Sequence, residues 1–235
     1  MKLKFLGTRG YIEEKAKQHR MHSSLLVDGK VLFDFGKTWK GKLTQIKPKV
    51  IFITHAHPDH AGGLSNDIKV PVYAAGAAFE QLKKFKLPDL RRVRFNQIIK
   101  IGRLKVVPYG VVHSILAPAA GYRVNDGKAV FIYNPDIISI RQKNEILKKA
   151  DLYIGDGATI KRPLVRRRGD KLFGHAAIFT QVNWCKTFGI RRAIFTHFGK
   201  EAVETDERSL KKRLREFGGS SVEVSAAYDG MEVRI

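Results

Sequence analysis

The alternation of apolar and polar positions divides the first half of the chain into short strands. Apolar runs at residues 3–7 and 50–53 are rich in β-branched and aromatic side chains, which favour extended structure. Two similar runs flank Asp28-Gly29, and this dipeptide between apolar segments indicates a hairpin. The strands predicted here cover residues 3–7, 24–27, 31–34, 50–53 and 70–74. A helix is predicted over residues 76–85, because Leu87-Pro88 ends the helical pattern there.

The second half mixes strands and helices. Its predicted strands cover residues 98–101, 104–108, 111–114, 121–124, 129–133, 151–154, 192–196, 222–224 and 231–235. Asn125-Asp126-Gly127 marks a second hairpin turn. Helices are predicted over residues 142–150, 174–188 and 205–217, the second ending at Gly189. We find no repeat, linker or low-complexity tract, so the prediction is one domain over residues 1–235.

Four side chains that can bind a metal follow the apolar run at 50–53 within six positions. They are His55, His57, Asp59 and His60, in the segment Thr-His-Ala-His-Pro-Asp-His. Imidazole and carboxylate ligands suit zinc, manganese or iron. A chance cluster of solvated histidines is the alternative, but random loops seldom reach this density. The segment therefore predicts a metal site at the end of a buried strand.

The pattern His-x-His-x-Asp-His after a hydrophobic strand resembles the signature of the metallo-β-lactamase superfamily of metal-dependent hydrolases. This resemblance implies that His55 and His57 bind a first metal, and that Asp59 and His60 bind a second. It also implies an α/β fold of the four-layer αββα sandwich type. The resemblance extends over roughly residues 1–200, because further parts of the family pattern occur downstream.

Three later residues complete the ligand set that the resemblance implies. His113, Asp136 and His197 each lie at the end of an apolar strand. The family places the third ligand of metal one, the bridging carboxylate and the last ligand of metal two at such positions. Asp136 departs from the usual Gly-Asp-Thr context, because Pro135 and Ile137 flank it. A satisfied core histidine and a turn-capping aspartate are the alternatives.

The net charge of the chain adds information about its partners. The 235 residues include 44 Lys and Arg against 22 Asp and Glu, a formal net charge of +22. Such an excess favours polyanionic partners, although a generally solvated basic surface is the alternative. The single Cys185 excludes an internal disulfide and a CxxC site. No membrane-spanning run or signal peptide is seen, so we expect a cytoplasmic protein that does not enter membranes.

The densest basic run, residues 161–168, is a candidate phosphate-binding loop, with Arg166, Arg167 and Arg168 as substrate contacts. A solvated loop is an equal alternative. The polar segment 9–22 also has two interpretations. It is either a mobile loop over a site or solvated surface.

Two residues are predicted to be essential for catalysis. Asp59 is expected to be indispensable as a ligand of metal two. His175, at the predicted start of helix 174–188, is expected to act as general acid or to hydrogen-bond the anionic transition state. The surrounding motifs resemble the branch that contains tRNA 3′-processing endonucleases and cyclic phosphodiesterases. That branch often orients its late histidine with a Glu, and Asp156 is the candidate for this role.

The predicted function is hydrolysis of a phosphodiester with two divalent metal ions, zinc being preferred over manganese or iron. The substrate is either a nucleic acid, RNA or DNA, or a small phosphodiester. A compact phosphodiesterase is favoured over a tRNA processor, because no long inserted arm is evident. The alternatives are a thioester or lactone hydrolase of the same fold, and a metal-retaining nucleic-acid-binding protein with little turnover. The oligomeric state stays open, with a homodimer as one option.

Overall fold

Two β-sheets lie face to face at the centre of the molecule, in a computed structural model that describes residues 1–235. The strands of the first sheet are β1 (Lys2–Gly7), β2 (Ser24–Val27), β3 (Val31–Phe33), β4 (Val50–Ile53), β5 (Val72–Ala75), β6 (Leu90–Val93) and β17 (Glu232–Arg234). Their order across the sheet is β17-β1-β2-β3-β4-β5-β6. The predicted β2–β3 hairpin is present, and β3, β4 and β5 run parallel.

The second sheet is built from the later part of the chain. Its strands are β7 (Ile99–Ile101), β8 (Leu104–Val112), β9 (Ala120–Asn125), β10 (Val130–Tyr133), β11 (Ser139–Ile140), β12 (Leu152–Asp156), β15 (Arg192–Thr196) and β16 (Glu223–Ala226). Their order is β11-β8-β9-β10-β12-β15-β16, with β7 paired to β8. A separate hairpin joins β13 (Leu164–Arg168) to β14 (Lys171–His175).

Helices cover the outer face of each sheet. They are α1 (Leu43–Ile46), α2 (Pro58–Ala61), α3 (Gly76–Leu82), α4 (Lys143–Leu147), α5 (Ile178–Phe188), α6 (Lys200–Glu204) and α7 (Glu207–Gly218), with 3-10 turns at Lys37–Trp39 and Lys83–Phe85. Residues of α3 share a buried cluster with the first sheet, and residues of α5 and α7 share one with the second. The predicted αββα sandwich is therefore confirmed.

Strand β4 shows why the strands are apolar on both faces. Val50 and Phe52 pack between the two sheets, whereas Ile51 and Ile53 pack under the helices of the first sheet. Successive side chains of a strand point to opposite faces, so a strand buried on both sides is apolar throughout. Phe33 lies at the centre of the inter-sheet core, and its ring lies near the ring of Phe52.

One predicted strand boundary is wrong. The strands predicted at 104–108 and 111–114 belong to a single strand, β8, which runs through Pro108 and ends at Val112. The carbonyl of Pro108 accepts a hydrogen bond from the amide of Asn96, away from β9. Because the nitrogen of a strand residue faces the same way as its carbonyl, the missing N–H of Pro108 costs the ladder with β9 no hydrogen bond.

Most of the basic run at 161–168 is a strand rather than a loop, and His175 does not start a helix. Residues 164–168 form β13, and His175 is the last residue of its partner β14. Gly169-Asp170 makes the turn between these strands, a pair typical of tight hairpins. Helix α5 begins only at Ile178. No helix of the structure has the length and apolarity needed to cross a bilayer.

Replacing Phe33 by Ala is expected to lower the free energy of unfolding by about 3–5 kcal/mol, because the fully buried ring would leave a cavity between the sheets. Urea unfolding followed by circular dichroism measures the change. Phe95→Ala is the matched control, since its ring is 45% exposed and should cost about 1 kcal/mol or less. Equal losses in the two variants would contradict the assigned core.

Candidate metal centre

The candidate ligands lie where strands of both sheets end. His113, Asp136 and His197 follow β8, β10 and β15, which run in the same direction, so their carboxyl ends meet at one edge. The metal segment follows β4 in the other sheet. A hydrogen bond from the amide of Ala120 to the carbonyl of Thr54 (2.9 Å) joins the two sheets at this edge. The fold thus brings residues from separate parts of the chain to one place.

Close packing fixes the short helix α2, which carries Asp59 and His60. Pro58 occupies its first turn, where a missing N–H costs no hydrogen bond. Gly36 lies directly beneath, and a Cβ there would come within 1.8 Å of the carbonyl oxygen of Asp59. Only glycine permits this approach, so residue 36 helps to set the position of Asp59.

The first group of candidate ligands matches the predicted site of metal one. Ring nitrogens of His55, His57 and His113 and a carboxylate oxygen of Asp136 all lie within 4.8 Å of one another. The Nε2 of His55 lies 3.4 Å from Oδ2 of Asp136, and the Nε2 of His113 lies 3.7 Å from it. His113 is held by the backbone of Gly174, whose carbonyl lies 2.9 Å from Nδ1 of the ring.

The second group matches the predicted site of metal two. It consists of Asp59, His60, His197 and the same Asp136, all buried. Asp59 Oδ2 lies 3.2 Å from His60 Nε2 and 2.9 Å from His197 Nε2. His197 follows β15 with a φ of 58°, a conformation uncommon for residues other than glycine and often found at functional sites. Asp136 is common to both groups, as its predicted bridging position requires.

The donor atoms fit divalent cations. Ligands about 2.0–2.1 Å from a tetrahedral zinc lie roughly 3.3 Å apart, close to the separations found here. Five atoms of this cluster are buried without a well-directed hydrogen bond, although some lie within 3.2 Å of another candidate ligand atom: Asp59 Oδ1, His60 Nε2, His113 Nε2, Asp136 Oδ1 and His197 Nδ1. Buried polar groups normally have partners, so these atoms point to an ion as the missing one. The seven predicted ligands are all present in the two groups.

Asp34 is a site residue that the sequence reasoning missed. Its Oδ2 lies 2.9 Å from Nδ1 of His60, and its Oδ1 accepts hydrogen bonds from the amide and hydroxyl of Thr54. With an ion bound at Nε2, this carboxylate would hold the remaining proton of His60 on Nδ1. The available signal was an aspartate directly after an apolar strand, which reads equally well as the end of a hairpin.

His175 approaches the cluster from the hairpin. Its Nδ1 lies 2.8 Å from Oδ2 of Asp156 and 3.1 Å from Oδ1 of Asp136. Asp156 also accepts hydrogen bonds from the amides of Ile137 and Ala158. Because its oxygens are satisfied in this way, we read Asp156 as the residue that orients His175 rather than as a metal ligand.

The protonation of the rings differs between the two halves of the site. Burial lowers the pKa of His55 well below its usual value and lowers that of His57 to about 4. Burial also opposes the charged form of His60, but the carboxylates of Asp59 and Asp34 outweigh it and raise its pKa well above normal. His197 follows the same pattern with Asp136 and reaches a pKa of about 9. Cations in the second half would displace these protons.

The pKa of His175 is raised, like those of the histidines in the second group. Burial disfavours its charged form, but Asp156 and Asp136 raise its pKa to about 11. The carboxylate of Asp156 therefore favours the imidazolium form of His175.

The remaining predicted residues lie around this cluster. Arg166, Arg167 and Arg168 are exposed on β13, whose partner strand ends at His175. In the N-terminal segment, Arg9 and His22 are buried, so the solvated alternative does not hold for them.

Comparison with protein families decides the fold family. Residues 8–198 match the model described as the beta-lactamase superfamily domain, which is most of the chain. The chain belongs to the metallo-β-lactamase superfamily. This assignment indicates a metal-dependent hydrolase and agrees with the His and Asp groups described above.

Solved structures show the same superfamily fold. A diphosphatase from the PhnP family has a TM-score of 0.72 at 20% identity, covering 100% of this chain and 97% of its own. Human tRNase Z, short form, has a TM-score of 0.68 at 19% identity, covering 100% and 99%. An isothiocyanate hydrolase from Delia radicum gut bacteria has a TM-score of 0.71 at 12% identity, covering 100% and 99%. No curated protein matches the sequence. At these identities the likeness establishes the fold alone.

Replacing Asp34 by Asn is expected to weaken metal binding in the second group by about 10–100-fold. The amide would donate to Nδ1 of His60, so the ring would carry its proton on Nε2 and lose that ligand atom. Asn keeps an acceptor for Thr54 and tolerates the φ of 61° at this position. Competition with a chromogenic chelator measures the affinity. Asp28→Asn, in the β2–β3 turn, is the control, and an unchanged affinity in Asp34→Asn would refute the role of Asp34.

Proposed function

We propose that the protein is a dinuclear-metal phosphodiesterase that acts on a nucleic acid or a small phosphodiester. His55, His57 and His113 would hold one ion, Asp59, His60 and His197 the other, and Asp136 would bridge them. Zinc is the preferred ion, because the donors are imidazoles and carboxylates, with manganese or iron as alternatives. When bound, such a pair of ions activates water at neutral pH and polarises the phosphoryl oxygens.

The chain's own residues supply the remaining chemistry. Asp156 holds Nδ1 of His175 at 2.8 Å, which fixes the ring and leaves the Nε2 proton for the substrate. From this position His175 would donate a proton to the leaving oxygen, or a hydrogen bond to the charge on the phosphoryl group. Asp34 would keep His60 in the tautomer that serves as a ligand.

The observation that carries the choice of a phosphodiester is the basic hairpin at the site. Residues 161–171 hold six basic side chains and one acidic one, and the hairpin is attached to the metal cluster through His175. The sequence names Arg166, Arg167 and Arg168 as candidate contacts, and all three lie exposed on the first strand of the hairpin, β13. A dense, exposed array of arginines beside a hydrolytic centre favours an anionic substrate, because guanidinium groups match phosphate.

A second candidate is hydrolysis of an uncharged substrate, such as a thioester or a lactone. Its support is the isothiocyanate hydrolase, a protein of the same fold. Leu116 and Leu164 are 76% and 47% exposed, and exposed apolar side chains of this kind suit a neutral ligand. Turnover of an uncharged ester should be insensitive to salt, whereas turnover of a polyanion should fall as salt rises.

The metal-reconstituted protein is expected to hydrolyse bis-p-nitrophenyl phosphate, and replacing Asp59 by Ala should abolish this activity and lower the metal content. The reason is that Asp59 contacts both histidines of the second group. Release of p-nitrophenolate and elemental analysis measure the two effects, with circular dichroism as the test of folding. Asp67→Ala, an exposed aspartate of the following loop, is the control.

Three outcomes would separate the candidates. Full activity in Asp59→Ala would refute the two-metal assignment. Bound metal with turnover of thioesters or lactones, but not of phosphodiesters, would favour the second candidate. No turnover by the parent protein, with RNA binding that persists in Asp59→Ala, would identify a metal-retaining nucleic-acid-binding protein.

Replacing His175 by Ala is expected to lower kcat by about 10²–10⁴-fold on phosphodiesters with a poor alkoxide leaving group. The loss should be much smaller with p-nitrophenolate, which leaves without protonation. The comparison of the two substrates measures proton donation. Equal losses on both would contradict a general acid and favour a hydrogen bond to the phosphoryl oxygens.

A further inference from the structure

We infer that one face of the β13–β14 hairpin binds single-stranded nucleic acid leading away from the metal centre. This inference rests on the proposed phosphodiesterase function and names its substrate class. It divides the three arginines of β13 into two sets, because neighbouring residues of a strand point to opposite faces.

The strand register assigns the faces. Cross-strand partners lie on the same side of a hairpin, and the pairs alternate between its two sides. One face carries the pairs Leu164 with His175, Arg166 with Phe173, and Arg168 with Lys171. The other face carries the pairs Val165 with Gly174 and Arg167 with Leu172. Three basic side chains and one aromatic ring therefore share a face with His175. Arg167 points to the opposite face, so we do not propose it as a substrate contact, unlike the expectation from sequence.

The base of the hairpin is attached to the candidate metal centre. The amide of Gly174 donates to the carbonyl of His113 (2.8 Å), and Nδ1 of His113 lies 2.9 Å from the carbonyl of Gly174. The rings of His113 and His175 have centroids 5.1 Å apart. A substrate at the cluster therefore lies at the start of the face that bears Arg166 and Arg168.

The charges of this face have no partner within the protein. The exposed ion pairs of the chain lie elsewhere, for example between Lys200 and Glu14. None of Arg166, Arg168 and Lys171 pairs with a carboxylate, and all three are exposed. They are therefore free to bind the phosphates of an external polyanion.

The length of the face favours a chain over a small ester. From the level of His175 to the level of Lys171 the hairpin extends four residues, about 13 Å. A mononucleotide-sized ester held at the metals would not reach Arg168. Successive phosphates of a longer nucleic acid would reach it.

Phe173 favours a single strand over a duplex. Its ring is only partly buried and forms no aromatic pair within the chain, and it lies directly across from Arg166, next to the level of Arg168 and Lys171. Unpaired bases stack on such rings, whereas the bases of a duplex are not accessible in this way.

The test is the affinity of the metal-reconstituted protein for a labelled oligoribonucleotide of about ten nucleotides with a phosphorothioate backbone, which resists hydrolysis, measured by fluorescence anisotropy at several salt concentrations. Arg166→Ala and Arg168→Ala should each weaken binding about three- to tenfold and reduce the salt slope by about one. Arg167→Ala is the matched control from the same strand and should bind within about twofold of the parent. The same sequence as a duplex should bind more weakly.

Phe173→Ala should weaken binding about fivefold or more without changing the salt slope. Phe173→Leu keeps the apolar volume and should show the same loss if stacking is the cause, and thermal unfolding shows whether either variant is destabilised. A loss in Arg167→Ala equal to that in Arg166→Ala, or no loss in any arginine variant, would overturn the assigned face. Equal or tighter binding of the duplex would overturn the single-stranded substrate.

The two proposals fail separately. If the parent hydrolyses bis-p-nitrophenyl phosphate but the arginine variants bind RNA alike, the assigned face is wrong and the phosphodiesterase stands. If the face binds RNA as described but no phosphodiester is hydrolysed, the proposed function is wrong and the binding surface stands.

Discussion

The carboxylate of Asp136 is the group on which the site depends, because it is common to every cluster of candidate ligands. It is 4% exposed and lies 2.8 Å from Nε2 of His60 and 3.2 Å from Nδ1 of His197. Asp34, Asp59 and Asp156 are buried nearby. Burying several carboxylates together is costly unless cations compensate them. The raised pKa values of His60 and His197 indicate that imidazolium charge meets part of this need, and divalent ions at the orphaned ligand atoms would displace those protons and take over the compensation.

The two sheets are arranged so that this cluster can form. Strands β8, β10, β12 and β15 point their carboxyl ends to one edge, and the segment after β4 arrives from the facing sheet. The hydrogen bond between Ala120 and Thr54 connects the sheets where the ligands meet. The polar site lies at the end of the apolar sandwich. The core between the sheets therefore keeps its packing.

Most of the candidate metal ligands can be predicted from sequence, because each is marked by its neighbours along the chain. The metal segment is dense and follows an apolar strand, and His113, Asp136 and His197 end strands of their own. The roles of Asp34 and Asp156 were harder to assign, because an orienting carboxylate is defined by the ring it contacts and not by its neighbours in sequence. Pro108 lies inside a strand and His175 at the end of one, whereas the sequence predicts a strand end and a helix start. The place of Pro108 depends on which side of its strand is paired. The place of His175 depends on a hairpin whose basic sequence is also typical of a loop.

Anomalous diffraction from crystals of the metal-reconstituted protein would show whether the seven residues hold two ions. We expect two peaks at the absorption edge of the bound metal. One should contact His55, His57 and His113, the other Asp59, His60 and His197, with Asp136 reaching both. A single peak, or peaks that avoid Asp136, would contradict this assignment.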